Sequence, residues 1–374
     1  MIFSSQGGTG VYASQLLRAL FECRPDWNFF PYVRRPEEAL GLLEQWSTAN
    51  VHLTVVTGSP NTWRVQARLP AQLRSDRIDV YHSFGYFLPL AWHGPKIVTI
   101  HDLNIYVHWR SWMRLNKVLN WADMALQTPL AMNVAHRIVT DSRFSRDSIC
   151  TLMHVDPDKV VVIPLAPDPF FDGAATAADE AQVRALTSGA PFILSVGFLS
   201  PVKNLGLLIK AFAASGLAGS GAILVLAGSD QEGHADVLRA TAMACGVSDQ
   251  VLLPGFVSRE LLRTLYRMCL VTVLPSYAEG FGLPAVEAMA CGAPILAANR
   301  QSLPEVVGSA GLLFEPDDVA ALAGLLRRMA TDPELRLEIV RKVLARRALF
   351  SWKTAAENTA NVYEAAALDF GRTR

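Results

Sequence analysis

Short apolar runs alternate along the chain with longer stretches in which apolar positions recur every three or four residues. In the first half the runs are Trp27–Val33, Val51–Val56, Asp79–Ser83, Lys96–Ile100, Arg137–Asp141 and Val160–Pro164. In the second they are Phe192–Val196, Ala222–Ala227, Val251–Phe256, Leu270–Leu274, Pro294–Ala298 and Leu312–Phe314. Runs of this length, bounded by Gly, Pro or polar residues, predict buried strands, and the three-to-four recurrence between them predicts helices. Strand and helix in alternation is the rhythm of a parallel sheet. Met1–Ser5 is a further, very short strand candidate, followed by Gln6-Gly-Gly-Thr-Gly10 and a helical pattern from Val11 to about Phe21. After Pro164 the periodicity lapses into Pro-, Asp- and Ala-rich sequence through Ala190, which reads as a linker. The pattern therefore predicts an α/β chain of two Rossmann-like domains: 1–167, a linker 168–190, 191–350, and a last helix and tail over 351–374.

The residues placed just beyond the strands carry the candidate chemistry, because open α/β sheets bind ligands at the carboxyl ends of their strands. The fullest stretch is Pro275–Gly292, PSYAEGFGLPAVEAMACG, after the run Leu270–Leu274. Its glycines Gly280 and Gly282 let the backbone N–H groups of Phe281 and Leu283 turn to a ligand, and Pro284 fits the first turn of a helix whose amino end favours negative charge. Glu279 and Glu287 stand eight positions apart across this loop. Taken singly, Glu287 would do no more than complement a helix dipole, and Glu279 would be a solvated loop residue. As a pair with GFGLP between them, they resemble the Glu-x7-Glu signature of the retaining family 4 glycosyltransferases, in which the segment reads EGFGLPxxEAMAxGxPV.

The resemblance extends over almost the whole chain and is densest from Gly255 to Pro316. His101-Asp102 follows the run Lys96–Ile100, where the family has a His-Asp pair whose histidine reaches the donor sugar; by position alone a lone histidine is more often structural. Gly8 and Gly10 fall in the place of the family's Gly-Gly loop, although the strand before them is shorter than the family's, and Thr9 could simply cap a helix. Thr140-Asp-Ser-Arg-Phe-Ser145 is similar to the family's T-x-S-x-x-S run, with Ser142 read as a helix N-cap first and a ligand contact second. Gly197-Phe-Leu-Ser-Pro-Val-Lys203-Asn204 resembles the motif in which an arginine and a lysine hold the donor phosphates. Here Phe198 replaces the arginine, so Lys203 carries the diphosphate alone or another cation such as Arg300 substitutes. Gly228 and Val257 match positions that meet the nucleotide in related enzymes.

The resemblance implies the GT-B architecture: two Rossmann-like domains with parallel sheets facing across a cleft, and a C-terminal helix crossing back to the N-terminal domain. It implies transfer of a sugar from a nucleotide-diphosphate donor, GDP-mannose or another UDP- or GDP-sugar, to a glycan or lipid-linked acceptor hydroxyl, with retained configuration and in bacterial surface polysaccharide synthesis. His101, Glu279 and Lys203 are then the catalytic group. Gly8, Gly10, Gly197, Asn204, Gly228, Val257, Gly280, Phe281, Gly282, Leu283 and Glu287 bind the donor, Glu287 through its ribose. The nucleotide sugar is a substrate, and no further cofactor is expected; the donor segments contain no Asp-x-Asp, so no metal is expected either. An epimerase or hydrolase on the same scaffold, or a non-catalytic nucleotide-sugar binder, remains open, since fold does not fix chemistry.

Composition narrows the partners. With 34 basic and 34 acidic residues the formal net charge is zero, which argues against recruitment by nucleic acid. The five cysteines are scattered without CxxC spacing, consistent with a reducing, cytoplasmic setting. No apolar run is long enough for a membrane span and no signal peptide is read at the amino end. Within Val107–Trp121, Arg110, Arg114 and Lys117 recur at helical spacing beside Trp109, Trp112 and Trp121. Such a face either rests on an anionic membrane, giving peripheral contact with the inner membrane surface, or lines a domain with ordinary core tryptophans. The cations Arg34 and Arg35 carry the same two readings.

Overall fold

The computed structural model describes residues 8–33, 46, 50–57, 64–107, 118–230 and 233–372. The strand candidate Met1–Ser5, Arg34-Arg35 and most of the basic and aromatic stretch around 108–117 lie outside them. The chain divides into two units, Met1–Ala166 with Ser351–Arg374, and Pro167–Phe350.

The first unit holds the short parallel pair β1 (Tyr32–Val33) and β2 (Thr54–Val55), and a parallel sheet of β3 (Tyr81–Ser83), β4 (Lys96–Thr99), β5 (Arg137–Thr140) and β6 (Val160–Val162) in that order. β1 is shorter than the run Trp27–Val33 suggests, because Pro31 has no N–H to donate and only an isolated bridge from Phe29 to Val51 precedes it. The helix Gly8–Cys23 buries Tyr12, Leu16, Leu17 and Leu20. It packs against the last helix, Trp352–Arg372, which belongs to this unit and not to the one preceding it in sequence. Arg24 pairs with Glu364 at 2.5 Å, Arg137 with Asp369, and Tyr363 shares a hydrogen bond with His82 Nδ1 at 2.8 Å.

The second unit is a six-stranded parallel sheet of β7 (Phe192–Val196), β8 (Ile223–Ala227), β9 (Val251–Gly255), β10 (Val271–Leu274), β11 (Ile295–Ala298) and β12 (Leu312–Phe314). Their order is β12-β11-β10-β7-β8-β9. Every residue of β10 and β11 is buried, as expected of inner parallel strands covered on both faces. Counting the chain's second six strands from one, this is the 3-2-1-4-5-6 order of a doubly wound sheet, and its topological switch point lies between β7 and β10.

The stretch 168–190 is not a bare linker. Pro169–Asp172 forms a 3-10 turn and Ala177–Thr187 a helix that buries Val183 and packs on the helix Arg259–Met268. A reciprocal cap starts it: the Thr176 side chain accepts from Asp179 N–H, and Asp179 from Thr176 N–H. The unit boundary therefore falls at Ala166 and Pro167. Proline-rich composition hid a helix whose start signal, Thr-x-x-Asp, was present.

Candidate active site

Two loops leave the switch point, one after β7 and one after β10. In the first, a 3-10 turn Pro201–Lys203 is ended by Asn204 in the left-handed conformation (φ 53°), after which the helix Leu205–Ser215 begins. The Asn204 carboxamide donates to Pro275 O (3.2 Å) and Pro316 O (2.8 Å), tying this loop to its neighbour and to the segment beyond β12. Asn204 thus braces the site through main-chain carbonyls.

Asn204 also sets Lys203 against the second loop. Lys203 Nζ lies 2.6 Å from Glu279 Oε1, and Ser276 Oγ donates to the same oxygen at 2.8 Å. Glu279 is fixed from behind as well: its N–H donates to Gln301 Oε1 (2.7 Å) and its carbonyl accepts from Ser302 Oγ (2.7 Å). The pair is mostly shielded, with 21% of the Lys203 side chain and 12% of the Glu279 side chain exposed. Around it Ser195, Gly197, Phe198, Ser276 and Pro275 line a cavity of about 10 Å³, room for about one water. Phe198, where an arginine was looked for, lies in this lining. Arg300 does not; it faces Glu315 at 3.6 Å.

The N–H groups of Gly197 and Gly228 are spent within the sheet, Gly197 on Ala227 O (3.0 Å) and Gly228 on Gly255 O (2.9 Å). What Gly228 supplies is closeness: a Cβ there would lie 1.8 Å from Gly197 O. Val257 lies two residues beyond β9, next to Phe256, which is 82% exposed.

The helix Leu283–Ala290 opens at Gly282, whose φ of 95° favours glycine, with Pro284 in the first turn. Phe281 is buried and meets the Phe350 ring edge-on at 5.9 Å, so it can offer a ligand only its backbone. Glu287, on this helix, accepts a hydrogen bond from the Tyr266 hydroxyl at 3.1 Å. Burial pushes its carboxyl up to about 7, against the Tyr266 bond, with Asp168 adding and Arg259 opposing. It is not among the groups lining the Lys203 cavity, so the two glutamates occupy separate environments.

In the first unit Gly8 and Gly10 are the opening turn of the helix Gly8–Cys23, not a loop ahead of it, and Thr9 sits inside that helix. First-turn N–H groups have no partner within a helix, so the segment still presents amides at its amino end. His101 follows β4, and its Nδ1 lies 2.6 Å from Asp141 Oδ2 at the end of β5. Ser142 is the N-cap of the helix Arg143–Met153, accepting from Ser145 N–H at 3.1 Å. Tyr266, Ser276, Gln301 and Asp141 were not singled out from the sequence. Asp141 alone had a usable signal, its place just beyond a strand next to the one that ends at His101.

Residues 178–344 match the family model described as Glycosyl transferases group 1, and residues 6–169 match Glycosyltransferase Family 4. The chain is 28% identical over 297 residues to O-antigen chain mannosyltransferase B of Escherichia coli, an alignment spanning 78% of this chain and 76% of that protein. It is 30% identical over 238 residues to D-inositol 3-phosphate glycosyltransferase of Acidothermus cellulolyticus, spanning 61% of this chain and only about half, 53%, of that protein. Among solved structures, HepE of Anabaena in complex with UDP and glucose superposes with a TM-score of 0.74 at 19% identity, covering 96% of this chain and 97% of that one.

Proposed function

We propose, from a chain that belongs to the group 1 glycosyltransferases and has the GT-B fold, that it moves a hexosyl group from a nucleotide-diphosphate donor to an acceptor hydroxyl with retained configuration. The observation that carries this reading is the Lys203–Glu279 pair at the switch point of the second sheet. Glycosyl transfer builds positive charge at the anomeric carbon and negative charge on the departing phosphate. A cation held at a strand end stabilises that anion once its ion pair yields to the phosphate, the class of effect that dominates many rate enhancements. Lys203 is the group for the phosphate, a point charge on a flexible stem.

Glu279 is fixed through its own backbone by Gln301 and Ser302, and in this reading its carboxylate holds sugar hydroxyls. Glu287 accepts from the ribose hydroxyls in its ionised form. Glu279 Oε1 already accepts from Lys203 and Ser276, which makes it a poor nucleophile. Retention then follows from same-face attack, with the leaving phosphate oxygen taking the acceptor proton and no metal taking part. The mannosyltransferase relative favours GDP-mannose as donor and a glycan or lipid-linked acceptor in bacterial surface polysaccharide synthesis; a UDP-sugar is the other donor to test. Among the described residues no helix is long and apolar enough to cross a membrane, and in this reading the enzyme works in the cytoplasm, touching the inner face of the membrane peripherally.

A thermal-shift panel of GDP-mannose, UDP-glucose and ADP-glucose tests the donor, because a ligand of the native state raises Tm by mass action. One donor should stabilise the protein, with and without EDTA, and NMR of the product should show the donor's anomeric configuration kept. No shift with any nucleotide sugar would remove the reading; an inverted product would remove the same-face mechanism.

A further inference from the structure

Among the described residues of the first unit, β1 pairs only with β2, and β3 only with β4, so each of these two strands keeps one open edge. Both open edges border the same cleft of about 570 Å³, β1 through Tyr32 and β3 through Tyr81 and His82. Leu17 of the helix Gly8–Cys23 and Tyr363 of the last helix wall it as well. The edges are not at the surface. Tyr32 and Val33 are at most 1% exposed, and Tyr81, His82 and Ser83 at most 8%. Successive residues of a parallel strand turn their peptide groups to opposite sides. Pro31 O and Val33 O accept from Thr54 and Val56 N–H on the β2 side (2.9 Å each), and Tyr81 N–H donates to Pro95 O (3.0 Å) on the β4 side. The main chains of Tyr32 and His82 therefore face the cleft, where among the described residues they have no main-chain partner. A buried edge of this kind is costly, because its N–H and C=O groups lose water and gain nothing. The group that fits offers N–H and C=O along both sides and apolar side chains above and below, which describes an extended polypeptide strand.

We propose that this cleft is a strand slot and that its occupant is the segment just before the helix Gly8–Cys23, Met1–Ser5, lying parallel to β1 and β3 and joining the two sheets into one. Seven residues precede Gly8 in the sequence, outside the described ones. Extended, seven residues reach about 23 Å, more than the roughly 17 Å that five residues such as Asp79–Ser83 take along the wall. The point of attachment sets the direction. Tyr12 shares a 3.0 Å hydrogen bond with Thr99, the last residue of β4, so the helix opens at the carboxyl ends of the strands. A segment that enters the helix there leaves the cleft at those ends and runs the same way as its neighbours. Segment, helix and β1 then make one βαβ unit, with the long crossover that parallel strands need. Met1-Ile-Phe3 is apolar at successive positions, as an inner parallel strand is, and Ser4-Ser5 follow where the segment leaves the slot. The last helix holds the same wall, its Tyr363 hydroxyl 2.8 Å from His82 Nδ1.

The test has two arms, both on the full chain. In the first, the photo-cross-linking residue p-benzoylphenylalanine replaces Phe3, and mass spectrometry identifies the peptide it captures. Cross-links within one chain to residues 29–33 or 79–83 are expected. Cross-links between chains would give the slot to a second copy, and capture elsewhere in the chain would leave it to another occupant; either overturns the proposal. In the second, hydrogen exchange is followed in the unmodified protein. The Tyr32 and His82 amides should exchange as slowly as those of Val98 and Ile138 inside the sheet. Phe3→Asp, which puts a charge in the slot, should bring both to the rate of exposed loop amides, while Phe3→Leu keeps them slow. Loop-like exchange in the wild type, or slow exchange that Phe3→Asp leaves untouched, also overturns it. If Phe3→Asp fails to fold, the cross-link and the wild-type exchange decide.

Discussion

The carboxyl ends of the two sheets each carry an acid–base pair, and the pairs differ in how they are held. In the second sheet Lys203 and Glu279 come from loops that part company at the switch point, and both keep some access to solvent. In the first, His101 and Asp141 come from adjacent strands, and the acid is almost wholly enclosed. A partly solvated pair has a small net stability and can exchange partners when a ligand arrives. An enclosed pair resists opening, because either member left alone is a buried, uncompensated charge. One site is therefore built to be entered and the other to hold an orientation.

Four experiments break or sharpen that contrast. The largest effect is expected from Gly228→Ala, since the added methyl would overlap Gly197 O, a backbone atom that cannot swing aside. The strand ends around the second pair should separate at a cost on the order of 3 kcal/mol or more, read by denaturant unfolding. A variant as stable as wild type would show that the closeness of β7 and β8 does not shape the site. Next, Glu279→Ala should abolish transfer while nucleoside-diphosphate binding, followed by calorimetry, is not weakened, because Lys203 loses a competitor. Retained turnover would refute the role of Glu279.

Lys203→Ala should weaken nucleoside-diphosphate affinity by more than about tenfold, as loss of a partly desolvated charge contact does. Unchanged calorimetric binding would take Lys203 out of the phosphate site. The smallest effect concerns Glu287. Its folded pKa, about 7, lies above the ordinary carboxyl value of 4.5, so its contribution to stability is complete below about 4.5 and is lost as pH rises through 7. Glu287→Gln should then be more stable than wild type at pH 8, on the order of 1 kcal/mol, with the gain gone near pH 5. Equal Tm values at both pH values would show that burial does not set this group. In wild type, donor affinity should rise between pH 6 and 8 as the carboxylate forms.

The second sheet was legible almost residue by residue: β7 and β12 have the expected limits, and its other strands begin or end a residue inside theirs. Inner parallel strands are apolar on both faces, so each one announces itself as an unbroken run. The site was legible as positions and less so as bonds. Glu279 and Lys203 were singled out separately, but nothing in sequence spacing says that they touch across 76 positions. The same holds for Asn204, which spends its amide on Pro316 O 112 residues away, and for Tyr266 under Glu287. The glycines were ambiguous for a related reason. A glycine beyond a strand fits both a phosphate loop and a close crossing of two main chains, and only the fold shows that Gly228 meets the demands of such a crossing.

The helix Trp352–Arg372 has a consequence for synthesis. Residues 167–350 leave the ribosome as one continuous unit and can complete their core while the rest is still being made. The helix Gly8–Cys23, made far earlier, waits for its packing partner until the last helix emerges. Its apolar face is therefore the surface a nascent-chain chaperone would meet longest, and the half of the protein made first is the half finished last.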